Sequence, residues 1–161
     1  MAAELTRTLS TEVVEEKEIV NALNAHGFDE VASRLVQLEE MIAEDPDEMD
    51  MVIKSLRSFA EFILQETHLP VPEIGAGPEG FVEAEWRIPS SGERKAASDE
   101  SYWGRGDGIL AMKFLPTGLV RFAATSGPTG QGQERLRTSG ILPRKRILPA
   151  VQPFISRLAV R

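Results

Sequence analysis

The apolar positions of the first 66 residues recur with the period of an α-helix in three successive stretches. The first stretch follows Ser10, a suitable N-cap, and stops at Gly27, a suitable left-handed residue after a helix. The second is expected to be capped by Asp29, and the third to be capped by Asp45 and to run to about Glu66. The inward-facing seam of the second helix shows the spacing best: Val31, Leu35, Leu38 and Ile42. The pattern therefore predicts three helices.

The spacing then changes from the helical period to the alternation of a β-strand. From Phe81 to Ile88, apolar residues alternate with charged ones, which predicts a strand with Glu83 and Glu85 on its solvent face. Two more strands are predicted over Ile109–Phe114 and Leu119–Ala124, and the proline and glycine between them indicate a tight hairpin turn. A final helix is expected from about Pro149.

These elements predict an α+β domain with a three-helix N-terminal segment, a small antiparallel sheet of three or more strands and a C-terminal helix. The chain is short enough for one domain. We divide residues 1–161 into a helical half, a β-sheet region with one long loop, and a basic tail that carries the last helix: 10–68, 69–133 with the loop at 89–108, and 134–161.

Composition narrows the class of protein further. The chain is 42% hydrophobic and 27% charged, values close to those of average globular domains, so we expect a packed core. It contains no cysteine, which excludes disulfides, thiolate metal sites and cysteine nucleophiles. No stretch approaches the roughly 18 apolar residues of a membrane span, and the N-terminus has no basic stretch leading into an apolar run. We therefore expect a cytoplasmic protein with no membrane partner.

The net charge of −7 conceals a strong asymmetry along the chain. Residues 1–66 hold 16 acidic and 5 basic side chains, whereas residues 134–161 hold 7 basic and one acidic. The basic tail, with its cluster Arg144-Lys145-Arg146, could lie against the acidic helices or contact phosphates of a nucleic acid. Both interpretations are open at this point.

Motifs that would indicate a cofactor site, a metal site or a catalytic site lack the flanking elements and residues that such sites need. Gly75–Gly80 matches GxGxxG, but a proline-rich turn precedes it, a strand follows it, and Pro78 removes one N–H that a phosphate would use. We interpret it as a turn. The acids between Asp45 and Asp50 lack the glycine and glutamate of a calcium loop, and neither histidine has metal-ligand spacing. We expect no cofactor, no metal site and no catalytic residue.

Two aromatic residues of the long polar loop need a separate explanation. Tyr102 and Trp103 are costly to leave in water, so they either dock onto the domain's own sheet or contact a partner. Together with Arg144, Lys145 and Arg146 they are the candidate partner contacts.

The segment Leu69-Pro70-Val71-Pro72-Glu73-Ile74, followed by Pro78-Glu79-Gly80-Phe81-Val82-Glu83-Ala84-Glu85-Trp86, resembles a pattern in uncharacterised bacterial proteins. That pattern is a helix, a Pro-x-Pro-x-Ile turn and a strand ending in Glu-Trp, followed by a β-hairpin. The resemblance covers Phe59 to about Phe122. It implies a sheet packed against the preceding helix, and it supplies no activity.

The leading hypothesis is a non-enzymatic bacterial protein-interaction module, a class that includes antitoxin-like and inhibitor-like proteins, with a protein partner or a second copy bound. It rests on the absence of a site constellation, the acidic helices and the loop aromatics. The alternative is a nucleic-acid-binding protein that uses the basic tail. An enzyme is the third and least favoured class.

Overall fold

The computed structural model describes residues 15–65, 68–88, 108–126 and 136–158. Within these ranges it has the predicted α+β fold, with helices before and after an antiparallel sheet. The elements in chain order are α1 (15–25), α2 (Asp29–Glu44), α3 (Ile53–Gln65), β1 (Glu73–Ala76), β2 (Val82–Ile88), β3 (Gly108–Phe114), β4 (Leu119–Thr125), β5 (Arg137–Pro143) and α4 (Arg144–Leu158). None of these helices is long and apolar enough to cross a lipid bilayer.

The sheet is an antiparallel meander in which each strand pairs with the next one along the chain, in the order β1 to β5. The predicted strands are confirmed as β2, β3 and β4. Sequence analysis missed the two outer strands: β1 lies in the segment expected to be a turn, and β5 lies in the basic tail. Both are edge strands, and they contain the glycine and proline residues that obscure an alternating pattern.

The core lies between the helices and one face of the sheet, here called the inner face. α3 supplies Phe59 and Phe62, whose rings lie 5.3 and 5.5 Å from that of Phe114 on β3. Trp86 on β2 is buried beside Phe62, with ring centroids 6.3 Å apart. Offset and edge-on contacts of this kind add to the burial of apolar area. Trp86 therefore belongs to the core, on the face of β2 opposite Glu83 and Glu85.

A buried serine on α3 forms hydrogen bonds with the backbone of two strands at the end of their ladder. The Ser55 hydroxyl donates to the carbonyl oxygen of Phe114 at 2.5 Å and accepts from the N–H of Val82 at 2.8 Å. It thereby satisfies one group on β2 and one on β3 where their ladder ends. Because an unsatisfied buried backbone group is costly, this serine is expected to contribute to stability.

The starts of α2 and α3 differ from the predictions. Asp29 is the first residue of α2 and makes no side-chain cap. The prediction that Asp45 caps α3 is wrong, because Asp45 follows α2 and its carboxylate accepts from the N–H of Asp47 at 3.0 Å in a local turn. α3 begins eight residues later, and the N–H of Val52 just before it donates to the carbonyl of Gly80 at 2.8 Å. This contact holds the segment before α3 against the β1–β2 turn.

The start of the last helix also differs from the prediction. α4 begins at Arg144, directly after β5, so Pro149 and Pro153 lie inside it instead of Pro149 opening it. Each proline removes one helical hydrogen bond. Ile147, Val151 and Phe154 are buried on the core side of α4, and this burial offsets the loss.

The proline-rich segment between α3 and β1 is fixed by two side chains from other elements. The indole N–H of Trp86 donates to the carbonyl oxygen of Pro70 at 2.8 Å, and the guanidinium of Arg34 donates to that of Pro72 at 2.7 Å. The tryptophan and the Pro-x-Pro turn of the resembled pattern are therefore in direct contact in this chain.

Candidate functional site

The second face of the sheet, here called the open face, is exposed in the part of the chain that the structure describes. Along β2, Val82, Ala84, Trp86 and Ile88 point to the core, so the residues between them point the other way. The same alternation in the paired strands gives the open face its side chains: Glu73, Gly75, Glu83, Glu85, Arg87, Ile109, Ala111, Lys113, Leu119, Arg121, Ala123, Thr125, Arg137, Ser139, Ile141 and Pro143.

The strand register arranges the middle of this face in two rows that run across the strands. One, the lysine row, is Gly75, Glu83, Lys113, Arg121 and Ile141 from β1 to β5. The neighbouring alanine row consists of Glu73, Glu85, Ala111, Ala123 and Ser139. The alanine row begins with two acids and continues with three small residues.

A groove of about 880 Å³ lies over these two rows. Its floor includes Ala111, Ala123 and Ser139, whose short side chains leave the backbone of the central strands accessible to a ligand. Lys113 and Arg121 border this floor on one side, and Glu85 lies at the β2 end. The groove therefore combines an apolar floor with charges of both signs.

Lys113 carries two acidic partners at the edge of the groove. Its ammonium lies 2.9 Å from a carboxylate oxygen of Glu79 and 3.0 Å from one of Glu83. The hydrogen bond to Glu79, then that to Glu83, raises the pKa of Lys113, and the hydrogen bond from Lys113 lowers the pKa of Glu79. Lys113 is therefore protonated at neutral pH, and the two neighbouring carboxylates balance its positive charge.

Three other charges of the face form no ion pair or side-chain hydrogen bond within the described residues: Glu85 on β2, Arg121 on β4 and Arg137 on β5. The charge of Arg121 still acts on Glu79, where, after the hydrogen bond from Lys113, it is the smallest of the causes that lower the pKa of that carboxyl. Glu73 lies 3.9 Å from Arg87. The carboxylates of the face therefore lie on β1 and β2, whereas β4 and β5 carry Arg121 and Arg137 and no acid. An opposite charge from another molecule would be favourable at Glu85 and at Arg121.

The GxGxxG motif forms the turn beside the lysine row. Gly75 and Ala76 end β1, residues 77–80 form the turn, and β2 follows, so no helix N-terminus is present to hold a phosphate. The interpretation of this motif as a turn is confirmed for residues 77–80 and is wrong for Gly75 and Ala76, which belong to β1. A side chain at Gly77 would place its first carbon 2.7 Å from the Glu83 carboxylate, so the glycine makes room for the Glu83–Lys113 pair.

The basic cluster of the tail is divided between two roles at the start of α4. The Arg144 guanidinium forms an ion pair with Glu61 on α3, and its backbone N–H donates to the carbonyl of Gly118 at 3.2 Å. Lys145 and Arg146 are exposed. Arg144 is therefore used inside the molecule, and only its two neighbours are available to a partner. The other candidates, Tyr102 and Trp103, lie outside the described residues, and their role stays a prediction.

A second group of interest lies between α1 and α2. The carboxylate of Glu39 is half-buried, and one of its oxygens has no hydrogen-bond partner in the described ranges. Burial, and then repulsion from Glu16, raises its pKa to about 7. No group of three or more metal-ligating side chains occurs in the described part of the chain, so Glu39 does not belong to one.

Sequence reasoning identified part of this face but did not assemble it. Glu83 and Glu85 were assigned to the solvent side of a strand, which the structure confirms. Lys113 and Arg121 fell in predicted strands, but the register that brings them into one row with Glu83 depends on long-range pairing. The only local signal is one alanine among the open-face positions of each of these strands, Ala111 in β3 and Ala123 in β4.

Comparison with models of protein families, with curated proteins and with solved structures found no match to this chain. The resemblance to uncharacterised bacterial proteins therefore stays a prediction, and the open face has to be interpreted from its own chemistry.

Proposed function

We propose that this protein is a non-enzymatic protein-interaction module and that the open face of its sheet is the interaction surface. The observation that carries the proposal is the groove over the alanine row, with charges of opposite sign at Glu85 and Arg121 that form no ion pair within the described residues. A bare sheet face needs only polar side chains to remain in water. Small apolar residues at Ala111 and Ala123, between charged residues, are instead suited to close contact with another molecule.

The charges of the groove favour a protein over a nucleic acid as its ligand. Glu73, Glu83 and Glu85 would repel a phosphate backbone. A protein surface can present both signs of charge, one for the β2 side and one for the β4 side. We place this interaction in the cytoplasm, which the absence of cysteine supports. Antitoxin-like and inhibitor-like proteins belong to the proposed class.

The basic tail supports the rival function less well. Nucleic-acid binding through Arg144, Lys145 and Arg146 would need the first of these to leave Glu61. Within the described part of the tail the exposed basic residues are Arg137, Lys145 and Arg146, a small electrostatic contribution compared with the six to ten phosphate contacts of many binders. We therefore keep this function as the alternative.

The proposal is tested by blocking the groove floor. Ala123→Arg puts a long side chain on the alanine row, and Gln37→Arg adds the same charge on the exposed side of α2 as a matched control. In extracts of the cells that make the protein, we expect the wild type and Gln37→Arg to elute in a complex larger than 17.7 kDa. Ala123→Arg should elute as the folded monomer.

Two results would contradict the proposal. The wild-type protein could elute from the extract as a monomer, or Ala123→Arg could remain in a complex of unchanged size. Thermal unfolding of the purified variants shows whether they are folded, so that loss of the complex is not mistaken for loss of structure.

A further inference from the structure

The open face carries mainly negative charge on its β1–β2 side and positive charge on its β4–β5 side. The side formed by β1 and β2 carries Glu73, Glu83 and Glu85 against one arginine, Arg87. The side formed by β4 and β5 carries only basic charges. A surface with its two signs on opposite halves is complementary to a rotated copy of itself.

We propose that the occupant of the open face is a second copy of this chain, packed face to face about a two-fold axis parallel to β3. This inference rests on the proposed function and names the partner. Rotation about such an axis places β2 of one copy over β4 of the other, and β1 over β5. Each acidic half then faces a basic half. Because this rotation preserves the position along the strands, Glu83 lies over Arg121 of the partner, and Glu85 lies over Ala123 with Arg121 one row away, twice in the dimer.

The direction of the axis follows from the same charges. A two-fold axis running across the strands would place β2 over β2 of the other copy, and the acids Glu83 and Glu85 would face their own equivalents. Like charges in a desolvated interface are strongly unfavourable. Of these two axes, the one along β3 gives attractive contacts on both sides of the sheet.

In this arrangement β3 of one copy packs on β3 of the other, and its open-face residues are compatible with that contact. Ile109 is 41% exposed in the single chain and would pack on the other copy, while Ala111 allows close approach. Lys113 would face another lysine, but each one already carries Glu79 and Glu83. Ile141 at the β5 side is 47% exposed and would also lose contact with water.

The size of the face is sufficient for a weak specific dimer. Four strands of seven residues and one of four, at about 4.8 Å between strands and about 3.3 Å per residue, give roughly 500 Å² per copy before side-chain relief is counted. Two copies together bury about 1,000 Å², the lower limit of a specific interface, so we expect a dissociation constant in the micromolar range.

The test exchanges charges between the two halves of the purified full-length chain. Glu85→Lys and Arg121→Glu each replace attraction by repulsion at both contacts of a homodimer, and neither residue has an ion pair in the described fold to lose. By sedimentation velocity, each variant alone should dimerise on the order of tenfold more weakly than the wild type or more. An equimolar mixture of the two variants should form a dimer again, because the lysine at 85 of one copy and the glutamate at 121 of the other then lie in neighbouring rows, within reach of each other as long side chains. Glu40→Lys, on α2, should dimerise like the wild type.

Two outcomes would overturn the inference. One is a wild-type chain that stays monomeric up to about 200 µM, well above the expected micromolar constant. The other is a dimer that neither charge reversal weakens, which would place the contact elsewhere. Both are distinct from failure of the proposed function: a monomeric purified chain that still enters a large complex in extracts, and leaves it in Ala123→Arg, has a different protein on the same face.

Discussion

The two faces of the sheet are built from alternate residues of the same strands, yet they follow different rules. The inner face carries large apolar side chains such as Trp86, Met112 and Phe114, which are 2% exposed or less and packed by α3 and α4. The open face instead carries alanines, polar and charged residues, together with the exposed apolar side chains of Ile109 and Ile141. Burial explains the large apolar residues of the inner face, whereas stability alone does not explain small residues beside charges that form no ion pair within the described residues. The difference separates what folds the chain from what remains for binding.

The largest effect that would distinguish the faces is a truncation in the core. Phe114→Ala removes a ring that contacts Phe59 and Phe62, and we expect it to lower the free energy of unfolding by about 3–5 kcal/mol. The neighbouring Lys113→Ala on the open face should cost about 1 kcal/mol or less, since its ion pairs are near the surface. Urea unfolding measures both. Comparable losses would mean that the open face also holds the fold together.

A smaller effect is expected at the serine that links α3 to the sheet. Ser55→Ala leaves the buried N–H of Val82 and the carbonyl of Phe114 without their partner, and should cost about 2–3 kcal/mol. Ser58, on the same helix, is also buried, but its hydroxyl has no partner among the described residues. Ser58→Ala is therefore the matched control and should be neutral or slightly stabilising. Equal losses in the two variants would refute the role given to Ser55.

The helices and inner strands were predictable because their signals are local. Helical spacing located α2, and alternation located β2, β3 and β4. The start of α3 could not be predicted in this way, because the acid and the proline after α2 form a turn that uses the same residue types as a helix cap. β5 was missed since an edge strand needs little apolar patterning, and its place is set by pairing with β4.

The candidate site was less predictable than the fold. Each of its charges was visible in the sequence, but their grouping depends on which strands are neighbours and in what register. The basic cluster that sequence analysis favoured as a partner contact is partly used within the fold, through Arg144 and Glu61. Charge counting along the chain cannot show whether a side chain is already paired.

A pH-dependent effect of intermediate size is expected away from both faces. Glu39 has a folded-state pKa of about 7 against an ordinary value of 4.5, so its neutral form is favoured in the fold. Its stabilising contribution is complete below about pH 4.5 and is lost as the pH rises through about 7. Glu39→Gln should therefore raise the free energy of unfolding at pH 8 by on the order of 1 kcal/mol, allowing for solvent screening, and change little at pH 4.5.

The control for this prediction is Glu40→Gln, an exposed acid on the same helix. Thermal unfolding of the two variants between pH 4.5 and pH 8 gives the comparison. If Glu39→Gln gained as much stability at the acidic end as at the alkaline end, titration of this carboxylate would not be the cause.

The smallest effect concerns the basic tail. We expect no binding of duplex or single-stranded nucleic acid to the full chain even at about 50 mM salt, where phosphate contacts are strongest. Lys145→Ala/Arg146→Ala should then give the same fluorescence-anisotropy signal as the wild type. Salt-sensitive binding that this double variant abolishes would support the nucleic-acid-binding function and contradict the proposal that the open face is the main interaction surface.

The most direct measurement introduces a photo-reactive amino acid at position 123 on the open face and, in a second version, at position 37 on α2. After illumination of living cells, we predict a discrete covalent protein adduct from position 123 and none of comparable yield from position 37. An adduct of about twice the mass of the chain would identify a second copy as the occupant. Adducts from position 37 with none from position 123 would contradict the account, because the interaction surface would then lie on the helices.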